Sequence, residues 1–468
     1  MPIPKASAKY SAMMSQSMNA SSINALKFKG KDFRLFKIQW NVLFINRGIN
    51  KPSAYDYVCS MTDQNSPPRK RISFRKKPKV EQRGDTKYVA TCFKNTEEEL
   101  AAELNKLGAA SVQIRNRAVS FYGDKELLYK ANIWLRTALK VLKPIHNFNC
   151  DNAEDLYKRC KKIAWEELFK PQQTFAIDYA VYSEHFKHDQ YTALKMKDAI
   201  VDRFREVGLN RPKVDRREAE VKIHLHIDRN RVTISLDSSG APLFKRGYRE
   251  EQHMAPINEC LAAALLMKAG WKGQLDFLDP MCGSGTLAIE AALMASNIPP
   301  NLNRVNFAFE HWEDYDASLL SKVLGEAKEE FIPLKVNIWS KDKEMRSIRM
   351  CRVNVTAANM RKSIQVEQAD FFEVKPPSEN GFMIMNPPYD QRLKTVEGIE
   401  AFYQKVGTQL KHHYTGWQAW IISAEIDALK QIGLKPKKKV PMMNGKLACE
   451  LRGYELFSGK RKDKLASV

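Results

Sequence analysis

Long apolar runs are missing from this 468-residue chain: nowhere do about 18 consecutive apolar residues occur, the length a helix needs to span a bilayer. The most apolar stretch, Cys260 to Met267, stops at Lys268 and reads as a buried helix, so no membrane span is expected. Paired cysteines are missing too. Cys59, Cys92, Cys150, Cys160, Cys260, Cys282, Cys351 and Cys449 form no CxxC pair, and none has a histidine close by at zinc spacing. Neither a disulfide framework nor a metal site is expected, and a reducing compartment, the cytoplasm, fits. There is no Gly-Lys-Ser/Thr phosphate loop. The G-x-G turn at Gly283 and Gly285 has Ala288 where a dinucleotide fingerprint wants a third glycine. Nucleoside triphosphates and dinucleotides are thereby disfavoured.

What is present is core-forming material and positive charge. At 44% hydrophobic and 10% aromatic residues the chain can bury sizeable cores. Its length suggests about three domains at roughly 150 residues each. It carries 76 Lys+Arg against 54 Asp+Glu, a surplus of 22 with a pI near 9.5, which attracts a polyanion, nucleic acid first. Through Asp85 there are 17 Lys+Arg and 5 Asp+Glu, so 12 of those 22 excess charges sit in under a fifth of the chain. The run from Ser66-Pro67-Pro68-Arg69-Lys70-Arg71 to Lys79 reads as a solvated linker or nucleic-acid tail. Phe33 to Ile45 is apolar enough for a short strand or helix. Residues 1–85 are expected to form a basic, disordered extension. The first acid is Asp32, which also suits a transit peptide or a start codon assigned too early, although lysine outnumbers arginine there.

From Lys87 the pattern turns globular. Tyr88 to Phe93 reads as a strand and Thr96 as the cap of a helix. Glu97, Glu98 and Glu99 fill that helix's first turn, where the dipole favours acids, and Gly108 stops it. Val112 to Phe121 reads as a strand, and Lys125 to Leu142 as one long helix through Trp134 and Leu135. Thr174 to Val181 (strand) and Gln190 to Val207 (helix) follow. Lys222 to Ile227 alternates strictly, turns at Asp228-Arg229-Asn230 and returns through Val232, Ile234 and Leu236, a hairpin with one apolar face. His224 and His226 lie on its polar face without an evident third metal ligand. This middle region is a small α+β assembly.

The chemistry starts after the short strand Leu275 to Leu278. Asp279-Pro280-Met281-Cys282-Gly283-Ser284-Gly285-Thr286 leads into a helix, Leu287 to Ser296, and glycines at such a turn let backbone approach a ligand closely. A second strand, Val336 to Ser340, ends near Asp342, an acid suited to grip ribose hydroxyls, with Glu344 as the fallback. A third, Ile364 to Phe371, ends with Asp370, which could accept from an adenine amino group, and Phe371, which could pack on the ring. Ligands of doubly wound sheets sit at these carboxyl ends. Asn386-Pro387-Pro388-Tyr389 follows the apolar strand Phe382 to Met385. The segment resembles the amino-methyltransferase motif, and that likeness implies that the Asn386 side-chain oxygen and the Pro387 carbonyl accept the two N–H groups of an exocyclic amine, leaving its lone pair aimed at a methyl donor. Tyr389 offers a face for an extruded base.

The octet at Asp279 to Thr286 resembles the first motif of class I S-adenosylmethionine-dependent methyltransferases, in which the glycine loop packs on the methionine moiety. Residues from about Tyr88 to Ser458 resemble the THUMP-containing RNA methyltransferases, in particular the bacterial large-subunit ribosomal RNA guanine-N2 methyltransferases. Ala131 to Ala138, Lys245-Arg246-Gly247-Tyr248-Arg249, Ala255 to Leu265 and Asn297 to Arg304 carry that likeness besides the two motifs.

The resemblance implies an α/β, Rossmann-like methyltransferase domain at 241–458 with a linker helix. Ahead of it would stand α+β modules, ferredoxin-like at 86–145 and THUMP at 146–240, with a basic tail at 459–468 behind. It implies S-adenosylmethionine held by Asp279, Pro280, Cys282, Gly283, Gly285, Thr286, Asp342, Asp370 and Phe371, and large-subunit ribosomal RNA or its precursor as partner. A monomer is favoured. Beside the cleft, Arg246 and Arg249 become candidates for RNA phosphate, while the lysines of 435–439 read as a solvated loop. The rival expectations are adenine-N6 methylation and a non-catalytic RNA-binding assembly factor.

Overall fold

Six elements in β-α-β-β-α-β order open the folded chain: β1 (Thr86–Thr91), α1 (Glu97–Lys106), β2 (Ala110–Arg115), β3 (Ala118–Gly123), α2 (Lys125–Trp134) and β4 (Lys140–Asn149). Asp124 starts α2 by accepting from the Leu127 amide. The computed structural model describes residues 86–251, 256–388 and 398–458, all within one unit, Gln82–Val468. Phe33 to Ile45 and the basic run to Lys79 lie outside the described residues. Next come α3 (Ala153–Lys161), β5 (Thr174–Tyr182), α4 (Asp189–Glu206), β6 (Lys213–Val214), β7 (Val221–Asp228) and β8 (Arg231–Asp237). The strands form one eight-stranded sheet, β2-β3-β1-β4-β8-β7-β5-β6. Strand β4 joins its halves, pairing with β1 at Lys140 to Leu142 and with β8 from Leu142 to Asn149. It thus runs across the 145/146 boundary expected between the two modules.

Two expectations fail here. The helix begun at Lys125 ends at Trp134 rather than Leu142, because the backbone N–H groups of Arg136 and Thr137 donate to the Glu103 carboxylate on α1 (2.8 and 3.0 Å). Nor is Val112 to Phe121 one strand: β2 ends at Arg115 and β3 starts at Ala118, the two pairing as a hairpin. Thr96 does stand at the N-cap of α1, but its buried hydroxyl donates to the Phe93 carbonyl and accepts nothing from the helix.

The second half contains α5 (Glu259–Ala269), β9 (Phe277–Asp279), α6 (Thr286–Ala295), α7 (Ala317–Glu329), β10 (Ile338–Asp342), α8 (Met345–Ala357), β11 (Ile364–Gln368), β12 (Gly381–Met385), α9 (Gly398–His413), β13 (Trp417–Ser423), β14 (Lys438–Asn444) and β15 (Leu447–Glu455). The sheet order is β11-β10-β9-β12-β13-β15-β14, parallel through β13 and antiparallel beyond. Strands β9 and β12 are buried along their whole length, as central parallel strands covered by helices on both faces must be. Helix α5 is buried on nearly every side, which is why Cys260 to Met267 is so apolar. The 435–439 lysines are not all loop: Lys438 and Lys439 begin the exposed strand β14, where lysine blunts a sheet edge. No helix among the described residues is long and apolar enough to cross a membrane.

The two sheets share packing. Phe307, Phe309, Trp312, Leu320 and Val323, all from the second half, join the core of the first. The Phe309 ring stacks on Tyr129 of α2 at 4.3 Å.

Candidate active site

Strand order reverses between β9 and β12. The chain winds outward from β9 to β10 and β11, then returns to lay β12 on β9's other side, with Leu278 beside Met383. A crevice opens at the carboxyl ends of strands diverging in this way. Here it has a volume of about 480 Å³. Of the residues expected there, Asp279, Pro280, Cys282, Gly283, Thr286, Asp342, Asp370, Phe371, Asn386 and Pro388 line it. Residues 107 positions apart in sequence meet because β9 and β12 are neighbours. Gly285 and Pro387 are not among the lining residues, and Tyr389 lies outside the described residues.

The turn after β9 is clamped from β10. The Cys282 amide donates to the Lys341 carbonyl (2.9 Å) and the Gly283 amide to Asp342 Oδ2 (3.0 Å). Asp342 Oδ1 in turn accepts from the Glu344 amide (2.9 Å). Gly283 and Gly285 have φ of 52° and 83°, a region that glycine enters without strain. A Cβ on Gly285 would stand 2.6 Å from Cys351 Sγ on α8. That glycine lets α6 begin against α8.

Asp279 is 1% exposed. Its Oδ1 accepts from the Met281 amide (3.4 Å), while buried Oδ2 has no hydrogen-bond partner among the described residues. Burial pushes its carboxyl well above the usual carboxylate range, because the charged form loses water without gaining a cation. An ammonium group entering the crevice would supply that cation, so this acid fits the amine of an S-adenosylmethionine methionine moiety. Asp370 Oδ1 accepts from the Phe372 amide (2.9 Å). Phe371 is buried against Tyr414 (5.5 Å between centroids), and Gln409 Nε2 holds its carbonyl. Phe371 is therefore a rigid wall, suited to a flat ring.

Sequence reasoning missed the α9 side. Phe402 and Lys405 line the crevice, with Phe402 edge-on to Phe372 at 5.7 Å. The spacing of Phe402, Tyr403, Val406 and Leu410 signals an amphipathic helix, but only the tertiary fold shows which end faces the crevice. Lys343 and Ser347 also line it.

Arg246 and Arg249 do not face RNA, which corrects the phosphate expectation. Arg246 is buried. It pairs with Glu290 (3.4 Å) and donates to the carbonyls of Leu243 (2.8 Å) and Arg136 (2.5 Å). Arg249 donates to Glu259, Ser284, Thr286 and the Ile257 carbonyl, leaving it no role at the surface. Arg136 reaches the Ile298 carbonyl (2.8 Å), and Arg304 holds the Ser239 and Ala241 carbonyls (2.8 and 2.5 Å). These arginines form a polar seam between the two sheets. His224 and His226 stack at 6.5 Å, and no three His, Cys, Asp or Glu among the described residues could hold a metal.

A doubly wound sheet with a glycine turn and an Asn-Pro-Pro segment at its switch point defines a Rossmann-like methyltransferase domain. Residues 246–453 match the family of RMKL-like methyltransferase domains (UPF0020), residues 150–237 the THUMP domain, and residues 87–142 the RlmL ferredoxin-like domain. The chain belongs to the THUMP-containing RNA methyltransferase family. It is 38% identical over 371 residues to slr0064 of Synechocystis sp., provisionally named an RNA methyltransferase, covering 79% of this chain and 97% of that one. It is 34% identical to the ribosomal RNA large subunit methyltransferase K/L of Shewanella baltica over 380 residues, 80% of this chain but 54% of that protein. The chain thus spans about half the length of the K/L relatives. Among solved structures, SMU.472, provisionally named a methyltransferase and complexed with SAH, matches at TM-score 0.72 and 28% identity over 81% of this chain and 100% of that one. A Listeria monocytogenes protein, provisionally named an N6-adenine-specific DNA methylase, matches at TM-score 0.71 and 28% identity, covering 80% and 96%.

Proposed function

We propose that the protein transfers a methyl group from S-adenosylmethionine to the exocyclic N2 of a guanine in large-subunit ribosomal RNA. The observation that carries this reading is that Asn386 and Pro388 open on the same crevice as Asp279 and Gly283, in a chain that also bears a THUMP module. When bound, S-adenosylmethionine supplies an electrophilic methyl group on a sulfonium.

The chain's own residues do the positioning. Asp279 takes the methionine amine and recovers its charge. Asp342, with lone pairs beyond those accepting the Gly283 and Glu344 amides, takes the ribose hydroxyls. Asp370 accepts from the adenine amino group, and Phe371 covers the ring. The Asn386 oxygen and the Pro387 carbonyl accept the two N–H groups of the target amine, and Tyr389 stacks on the extruded base. The amine loses its proton after the new bond forms, so positioning and electrostatics replace a strong base.

The ferredoxin-like and THUMP modules at 86–145 and 146–240 would hold structured RNA ahead of the methyltransferase domain, in a cytoplasmic monomer. Adenine N6 presents the same two donors, and the Listeria relative's name points to it; the THUMP module and the K/L relatives favour RNA and guanine. Purified protein with methyl-labelled S-adenosylmethionine should be offered an unmodified large-subunit RNA transcript and, separately, DNA. Digestion to nucleosides should give labelled N2-methylguanosine from the RNA alone. Label in N6-methyladenine would establish the other reading.

A further inference from the structure

Helix α8 conflicts with its own electrostatics. Arg346, Arg349 and Arg352 recur every third residue along its exposed face, beginning in its first turn, and the helix contains no acid. Like charges at this spacing repel, and cations at a helix N-terminus oppose the dipole. Some cations elsewhere on the unit are matched within the fold: Lys130 pairs with Glu126 and Glu326, Lys140 with Asp178 and Asp237, and Arg203 with Glu166. Others, such as Arg211, Arg216 and Arg217, stand unpaired among the described residues; what sets α8 apart is three arginines in line on one acid-free helix at the crevice. Lys343, Arg346 and Arg349 form no ion pair among the described residues, and Arg352 donates only to the Val366 carbonyl (3.1 Å). Glu344, the acid at the N-cap of α8, forms no ion pair with them among the described residues.

The strip also has a direction. Lys343 and Ser347 line the crevice, so the arginines start at its mouth and continue along α8. From Arg346 to Arg352 they cover about 9 Å at 1.5 Å per residue. Locally unfavourable choices of this kind collect where function requires them.

We propose that this face of α8 is a phosphate track that seats the RNA backbone beside the target base, the role that Arg246 and Arg249 do not fill. The inference rests on the RNA-substrate reading above. A polyanion laid along the strip relieves the repulsion and the opposed dipole together, with guanidinium groups that suit phosphate oxygens. Such contacts position the strand without choosing the nucleotide.

The test reverses the charges in R346E/R349E/R352E and keeps them in R346K/R349K/R352K. Binding of a large-subunit ribosomal RNA transcript is measured across a salt series, with S-adenosylmethionine affinity as the control for folding. The reversal should weaken RNA binding at least tenfold and flatten the salt dependence by about two to three released counterions, leaving cofactor affinity unchanged. The lysine variant should stay within about threefold of wild type in RNA affinity. A charge-reversed protein that still binds cofactor, with unchanged RNA affinity and salt slope, would overturn the track alone. A wild-type protein that binds no RNA would overturn the substrate reading and the track with it.

Discussion

The seam and the crevice are both built from buried charged groups, yet they resolve the cost of burial in opposite ways. In the seam, Arg246 and Glu290 are each almost wholly enclosed and answer one another, with Tyr248 donating to the same Glu290 oxygen (3.0 Å) and Arg136 and Arg304 spent on backbone carbonyls. The groups there fix the relation of two sheets. In the crevice, Asp279 is equally buried, and its Oδ2, like Glu290 Oε2 in the seam, has no hydrogen-bond partner among the described residues; unlike Glu290, it also has no cation in contact among them. Burial lifts the Glu290 carboxyl against the pull of Arg246 and Arg136. It lifts Asp279 with no cation among the causes. A polar group matched from within stabilises a fold, whereas one left unmatched beside a cavity marks where a ligand completes it.

Breaking the seam should have the largest effect. Glu290→Ala strands the buried Arg246 guanidinium and should destabilise the protein by about 3–5 kcal/mol, read by denaturant unfolding. Asn386→Ala in the crevice should leave stability and cofactor affinity nearly unchanged. It should slow methyl transfer by on the order of 3 kcal/mol in the barrier, measured in single turnover.

Asp342→Ala should weaken cofactor binding in calorimetry. Unchanged affinity would shift the ribose role to Glu344, which also lines the crevice.

Asp279→Asn sharpens the comparison through pH. The native carboxyl holds its proton above the ordinary value of about 3.9 while the unfolded one releases it. Stability of the wild type therefore falls as pH rises from about 4 toward the raised value. The asparagine variant should lack that slope and be at least as stable at neutral pH, although it binds cofactor more weakly.

The smallest effect is expected from deleting residues 1–85, which should lower RNA affinity broadly without changing the nucleotide modified.

The sequence made some of these features readable and hid others for physical reasons. The crevice was legible because its demands are local: a glycine turn after a strand, and an Asn-Pro-Pro after another, announce themselves within a few residues. The pairing of β9 with β12, which makes them one site, is long-range and entered only through resemblance. The seam was misread because its partners are distant. Nothing within Lys125 to Leu142 says that Glu103 will take the amides of Arg136 and Thr137 and end the helix. Arg246 and Arg249 were read as candidates for RNA phosphate because a basic run beside a cleft normally faces outward, whereas Glu290 and Glu259, 44 and 10 positions away, draw them inside. The alternation of Lys222 to Ile227 set its hairpin correctly, since the β7 side chains alternate between buried and partly exposed.

The central claim is that Asn386, at the carboxyl end of β12, presents a guanine amine to the methyl donor. Nucleoside mass spectrometry of large-subunit ribosomal RNA, from cells carrying the wild-type gene, the Asn386→Ala gene or neither, tests it most directly. The account predicts one N2-methylguanosine per ribosome with the wild type and its loss in both other strains. N2-methylguanosine intact in all three strains would contradict it, all the more if N6-methyladenine disappeared from DNA.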